Sequence, residues 1–237
     1  MNTEKVLGII PARAGSKGIP GKNIKPIAGM PLITWTIRQA LAAKMLDKVI
    51  VSTDGEEIAQ IAREAGAEVP FMRPAKFAMD NSPTSDVVIH ALEYFSQRGL
   101  NYEMVAILEP TSPLRKPSDI DRGITLLKQR PDVFSVVSVG EVHTEHPLIV
   151  KNIEGGFLVP YLPNAKEIYQ RQQTDAAFFP YGVLYLSISQ KFHELKTFYT
   201  ERTLPMLIER WQNYEVDDEV DFAIVSTLIQ KYQSQIT

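Results

Sequence analysis

The stretch Val6-Leu-Gly-Ile-Ile-Pro-Ala-Arg-Ala-Gly-Ser-Lys-Gly-Ile-Pro-Gly-Lys-Asn-Ile-Lys25 organises the reading of the chain. Val6–Ile10 is an unbroken apolar run, as expected of a strand covered on both faces of a parallel sheet. A loop carrying Gly15, Gly18 and Gly21 and four cations, Arg13, Lys17, Lys22 and Lys25, follows at once. Glycines let a backbone turn tightly and bring its N–H groups against a ligand. Fixed cations add charge-assisted hydrogen bonds, each roughly twice as strong as a neutral one. Ligands of parallel sheets bind beyond the carboxyl ends of the strands, so this loop is expected to hold a polyphosphate. The chain contains neither G-x-x-x-x-G-K-[ST] nor G-x-G-x-x-G, which excludes a Walker NTPase and a Rossmann dehydrogenase. The bland alternative is a solvated basic loop.

Outward from this loop, apolar runs alternate with helical patterns. Strands are expected at Lys48–Ser52, Glu68–Phe71, Met104–Leu108 and Ser135–Val139. Helices are expected at Pro31–Lys44, Glu56–Ala65, Pro83–Ser96 (with Ser82 as its cap) and Pro117–Gln129. Such alternation means βαβ units in an α/β fold. The pattern breaks at Gly140. From there to Tyr185 it is loop-rich, with a Gly155-Gly156 turn signal, and reads as hairpins leaving the sheet. A strand at Val183–Ser187, a short one at Tyr214–Val216 and a helix from Glu219 to Ser234 complete the chain. In that helix Val220, Ala223, Ile224, Thr227 and Leu228 share one face.

The 237 residues carry 25 Lys and Arg against 28 Asp and Glu, a net charge of −3. That balance gives no bulk reason to coat nucleic acid. The absence of cysteine removes thiol nucleophiles, disulfides and Cys-zinc sites and fits a cytoplasmic protein. Pro11 and Arg13 cut the first apolar run too short for a signal peptide, and no run approaches a membrane span. Charge is placed unevenly. No acid occurs between Lys5 and Lys44, whereas Glu215, Asp217, Asp218, Glu219 and Asp221 crowd one segment. Asp218, Glu219 and Asp221 suit a helix N-terminus. On a short strand Glu215 and Asp217 would point the same way and suit a Mg²⁺ or Mn²⁺ ion, which takes one or two carboxylates plus water and phosphate. Asp54 reads equally well as a helix cap or a catalytic group, and His90, in mid-helix, as a packing residue.

Ile9–Ile33 resembles the signature of the N-acylneuraminate cytidylyltransferases. Further similarity follows at Ser52–Asp54, Val69–Pro74, Asp80–Thr84, Pro110–Arg115, Gln170–Gln172 and Glu215–Phe222, covering nearly the whole chain. The resemblance implies a single domain over residues 1–237. Its fold would be a three-layer α/β/α, Rossmann-like nucleotidyltransferase with a mostly parallel sheet, with a β-rich arm at 140–185 serving dimerisation and substrate binding. It implies transfer of CMP from CTP to the anomeric hydroxyl of a nonulosonic sugar acid, with release of pyrophosphate, by a cytoplasmic homodimer using Mg²⁺ or Mn²⁺. Catalysis would fall to Arg13, Lys17 and Lys22. Nucleotide contacts would come from Ala12, Ala14, Gly15, Ser16, Asn23, Arg73, Asn81 and Ser82. Sugar contacts would come from Glu109, Thr111, Ser112, Arg115, Arg171, Gln172, Tyr181 and Tyr185, and metal contacts from Glu215 and Asp217. The family usually has Gln where this chain has Glu109, Asn where it has Tyr181 and Asp where it has Glu215. A carboxylate at 109 would repel an acidic sugar unless protonated, bridged by a cation or matched to a cationic group. That points to a legionaminic-type or amino-bearing sugar as an alternative acceptor. The competing classes are a nucleotide-sugar-dependent glycosyltransferase, whose Asp-x-Asp is missing at Leu108-Glu-Pro-Thr111, and a catalytically weak regulatory nucleotide-binding protein.

Overall fold

The computed structural model describes residues 4–162 and 175–237. Six strands form the central sheet in the order β10-β6-β9-β5-β1-β4. They are β1 (Val6–Pro11), β4 (Lys48–Ser52), β5 (Met104–Ile107), β6 (Ser135–Glu141), β9 (Phe178–Ile188) and β10 (Thr203–Leu207). Strand β1 pairs in parallel with β4 and β5, and β6 with β10, while β9 runs antiparallel to both β5 and β6. The mostly parallel α/β sheet read from the sequence is therefore present.

The period of two along the strands divides the core. Val6 and Ile10 of β1 face a cluster with Ile33, Ile37 and Ala40 of α1 (Leu32–Ala42), Ile58 and Ala62 of α2 (Glu56–Glu64), and Ile120, Ile124 and Leu127 of α4 (Pro117–Lys128). Leu7 and Ile9 face the other way, onto Val87, Val88, Ala91 and Phe95 of α3 (Thr84–Ser96) and Phe192 of α5 (Ser189–Leu195). Covering both faces explains the unbroken apolar runs.

Several expectations change. Glu68–Phe71 is not a strand; it leans on β4 through isolated bridges at Ile50–Glu68 and Thr53–Met72. Tyr214–Val216 joins no ladder, although its Val216 N–H donates to the Thr111 carbonyl at 2.8 Å. Helix α5 and strand β10 went unrecognised. The helix is short, and the strand contains Pro205, which an edge position tolerates. Ser82 does not cap α3; its hydroxyl donates to the Lys76 carbonyl instead. In α6 (Glu219–Ile236) the anticipated apolar face lies outward, with Val220 and Ile224 exposed, and the chain buries Val225 and Ile229. The bland reading of its first turn holds. Asp218 accepts from the Val220 and Asp221 N–H groups, and Asp221 answers through the Asp218 N–H, a reciprocal capping box.

The irregular region beyond Gly140 contains the hairpin β7 (Lys151–Glu154)–β8 (Phe157–Pro160). Ile153, Phe157 and Leu158 on it are 71%, 76% and 75% exposed. Among the described residues no helix is long and apolar enough to cross a membrane.

Candidate active site

Three segments meet at the carboxyl ends of β1, β4 and β5: the loop after β1, the loop after β5 and the acidic segment before α6. The first is held by the last. Lys22 donates to the Val216 carbonyl at 2.7 Å and lies 3.2 Å from an Asp217 carboxylate oxygen. At Gly18 a Cβ would stand 2.2 Å from the Asp217 carbonyl oxygen, so only glycine allows this approach. Asn23 donates to the Arg13 carbonyl, and Asp54 accepts from the Ala14 N–H at 2.9 Å. Asp54 thus shapes the loop, while Gly55 stands at the N-cap of α2.

These contacts enclose a cleft of about 550 Å³. Arg13, Ser16, Lys17, Lys22, Asn23, Arg73, Ser82, Glu109, Thr111 and Asp217 all line it. Arg73 is buried and donates to the Ser52 carbonyl and hydroxyl, and burial lowers its pKa to about 10, leaving it cationic at neutral pH. Asp80, which none of the sequence roles used, bridges Arg13 and Lys17 at 2.5 and 2.8 Å. Phe77, Met79, Val87 and Pro110 also went unassigned. Their apolar character offered nothing to separate a cleft wall from core.

The remaining expectations are placed elsewhere. Ala12 is buried in the core, Ala14 contributes its backbone N–H to Asp54, Gly15 faces open space, and Asn81 is exposed outside the cleft lining. Arg115 is a correction. It is 0% exposed, and its guanidinium donates to the carbonyls of Val183, Gly182 and Glu109 and to Thr36 and Gln39. It holds the pocket's frame and cannot reach a sugar. Ser112 is likewise buried and donates to the Glu215 carboxylate at 2.5 Å. Tyr185 packs on Phe198 and Tyr199. Arg171 and Gln172 lie outside the described residues.

Glu215, Tyr181 and Asp217 line a neighbouring cavity of about 640 Å³ with His143, Arg210 and Asn213, so Asp217 faces both spaces. Strand β9 is irregular close to these residues. Its register against β6 shifts between Val137 and Val139, and the Ser138 hydroxyl donates to the displaced Tyr181 carbonyl. There the Gly182 N–H donates to Glu215 at 2.5 Å, while a Cβ on Gly182 would stand 2.7 Å from a Glu109 carboxylate oxygen. Two carboxylates therefore converge on one glycine.

That convergence is electrostatically costly. Burial first, then repulsion from Glu215, pushes the Glu109 carboxyl up to about 7. Glu215 is also raised, by burial. A carboxyl whose folded-state pKa is raised binds its proton more tightly when folded. The contribution of Glu109 to stability is then full below pH 4.5 and is lost as pH climbs through about 7. In EDTA, Glu109→Gln should remove most of this loss and be about 2–3 kcal/mol more stable than wild type at pH 8, with the two similar at pH 4.5. Urea titrations at both pH values measure it, and parallel pH dependence in the two proteins would contradict it.

The donor chemistry fits a divalent cation. Asp217 adds to the repulsion on both glutamates, and Glu215 uses one oxygen for Ser112 and Gly182, leaving its other oxygen without a partner among the described residues. Among those residues no group of three acidic or imidazole side chains forms a complete cage. A Mg²⁺ ion completed by water and phosphate needs none.

The chain is similar to known proteins over nearly all its length. The profile of a protein family described as Cytidylyltransferase matches residues 7–232. A CMP-N,N'-diacetyllegionaminic acid synthase of Legionella pneumophila is 34% identical over 235 residues, covering 98% of this chain and 99% of that one. An N-acylneuraminate cytidylyltransferase of Escherichia coli is 30% identical over 231 residues; they cover 98% of this chain, which spans 54% of the relative's length. The structure of a CMP:2-keto-3-deoxy-manno-octonic acid synthetase complexed with CTP superposes with a TM-score of 0.70 at 16% identity, over 96% of this chain and 99% of that one, a likeness of fold.

Proposed function

Because the chain belongs to the cytidylyltransferase family and transfers CMP from CTP to a nonulosonic acid, we propose that the cleft around Arg13, Lys17 and Lys22 is where that transfer occurs. The observation that carries this reading is the joint lining by three cations of one loop, by Glu109 and by Asp217, which also lines the second cavity. CTP lies with its phosphates on Arg13, Lys17 and Lys22 and its cytidine toward Arg73 and Ser82. The acceptor lies toward Glu109, Tyr181 and Glu215. The acceptor's anomeric hydroxyl bonds through its oxygen to the α-phosphorus and gives up its proton to solvent as the bond to the bridging oxygen of pyrophosphate breaks, and the cations neutralise the charge that builds on the departing group. Holding both reactants in line supplies much of the acceleration.

Glu215 and Asp217 would hold a Mg²⁺ or Mn²⁺ ion, which supplies Lewis-acid neutralisation of phosphoryl oxygens. Titration with Mn²⁺ followed by electron paramagnetic resonance, in the presence of CTP, should show affinity lowered at least about tenfold in Asp217→Asn; equal affinity would remove the role.

For the acceptor, the ionised form of Glu109 accepts hydrogen bonds and cannot donate them, so above its pKa of about 7 it suits an amino, amide or hydroxyl group and opposes a sugar carboxylate, whereas its protonated form can donate to one. A legionaminic-type or amino-bearing acid fits this floor better than ordinary sialic acid. Glu109→Gln should shift kcat/KM toward sialic acid, and an unchanged ratio of acceptors would count against it. The exposed Ile153, Phe157 and Leu158 of the arm fit a second copy of the chain. Sedimentation should give a homodimer, and Phe157→Ser should weaken it. The need for CTP favours a cytoplasmic location, which cell fractionation would test.

A further inference from the structure

The phosphate-binding cations of the cleft already have an anion. Arg13 and Lys17 project from the loop after β1 and meet one carboxylate, Asp80, which crosses the mouth of the cleft from the segment before α3. Each Asp80 oxygen takes a different cation, Oδ1 the guanidinium and Oδ2 the ammonium. The pair is open to water, with the Asp80 side chain 50% exposed and that of Lys17 73% exposed. Ion pairs so exposed contribute little to stability. Lys22 differs. It is only 14% exposed, lines the cleft while donating to a backbone carbonyl, and is not opposed by Asp80.

The turn presenting Asp80 does not depend on its carboxylate. The Ser82 N–H donates to the Met79 carbonyl at 3.0 Å, the Ser82 hydroxyl accepts from the Met79 N–H at 3.1 Å, and the same hydroxyl donates to the Lys76 carbonyl at 2.9 Å. Both Asp80 oxygens are left for the two cations. The cations hold the Asp80 carboxyl below the usual carboxylate range, so it is ionised throughout the neutral range.

We propose that Asp80 is an internal competitor for the phosphate seat, displaced by the outer phosphates of the nucleotide and returning as pyrophosphate leaves. The proposal rests on the reading that Arg13 and Lys17 receive the CTP phosphates. An incoming polyphosphate exchanges one set of charge-assisted contacts for another, so its net gain is small and its hold is limited. The cytidine end, on the Arg73 side, carries no such cost. Asp80 thereby weakens the hold on the leaving pyrophosphate without weakening recognition of the base. It is a positioning residue for the departing group and does not touch the reacting phosphorus.

Calorimetric titration of pyrophosphate and of cytidine into wild type, Asp80→Asn and Asp80→Glu, with and without Mg²⁺, tests this. Pyrophosphate should bind about fivefold tighter to Asp80→Asn, in keeping with two exposed ion pairs released. Cytidine should be unchanged, and Asp80→Glu should stay close to wild type. Product inhibition by pyrophosphate should strengthen by the same factor. Pyrophosphate binding that is unchanged or weaker in Asp80→Asn would overturn the proposal and make Asp80 an orienting partner of the cations. Equal tightening of cytidine would also overturn it, by showing a general change in the loop. Failure of pyrophosphate and CTP to bind any variant would sink the underlying reading as well, which separates the two failures.

Discussion

Lys22→Met should lower kcat/KM for CTP by about two to three orders of magnitude, the range seen when a preorganised electrostatic group is removed from a transition state. Two effects combine. The cleft loses its most enclosed ammonium group, and Asp217, whose carboxylate lies 3.2 Å from that group, is left facing the phosphates unpaired. Methionine keeps the apolar stem that packs in the loop, so folding should change little. Steady-state kinetics read beside a melting curve make the comparison. A loss below about threefold, with the fold intact, would take Lys22 out of the phosphate site.

Arg115→Ala should destabilise the protein by about 3–5 kcal/mol, the cost of breaking a buried charged network and leaving a cavity. The guanidinium binds the carbonyls of Val183 and Gly182 on β9 and of Glu109 after β5. Val183 is fully buried, so its carbonyl has no water to turn to. The guanidinium also gives the only cationic relief to Glu109 among the charges acting on it, so its loss raises the cost of the Glu109–Glu215 convergence. Arg115→Lys keeps the charge but cannot reproduce the fork of donors, and should still cost about 2 kcal/mol. Urea unfolding of both variants measures this. Changes under about 1 kcal/mol in each would contradict the framing role.

Arg115 also marks where sequence reading reaches its limit. The family resemblance at Pro110–Arg115 implies a sugar contact there, with a plain turn shaped by Pro110 and Pro113 as the alternative. Only the antiparallel insertion of β9, with Gly182 brought over Glu109, creates the carbonyls that absorb Arg115. That insertion depends on pairing between distant segments, which no local pattern announces. Apart from β9 and the edge strand β10, the sheet was legible, since β1, β4, β5 and β6 are apolar runs covered on both faces. The loop after β1 was legible too, because its glycines and cations serve one local purpose. Glu215 and Asp217 stand out in the sequence within a run of acids, yet the shared direction expected of them on a strand is not realised: Glu215 turns inward to Ser112, and Asp217 stays at the cleft beside Lys22. Asp80 lay within a motif whose form suggested a turn and a helix start, and its cross-cleft pairing required the fold.

On the proposed function, this cleft moves CMP from CTP onto a nonulosonic acid. The most direct test is pyrophosphate release from CTP and Mg²⁺ across a panel of such acids, with UTP, ATP and GTP as controls and products weighed by mass spectrometry. The proposed function predicts release with CTP and not with the other nucleotides, a product with the mass of the sugar acid plus CMP less water, and a preference for legionaminic-type or amino-bearing acceptors. Release with every nucleotide alike, or no CMP-sugar from any acid despite bound CTP, would contradict it.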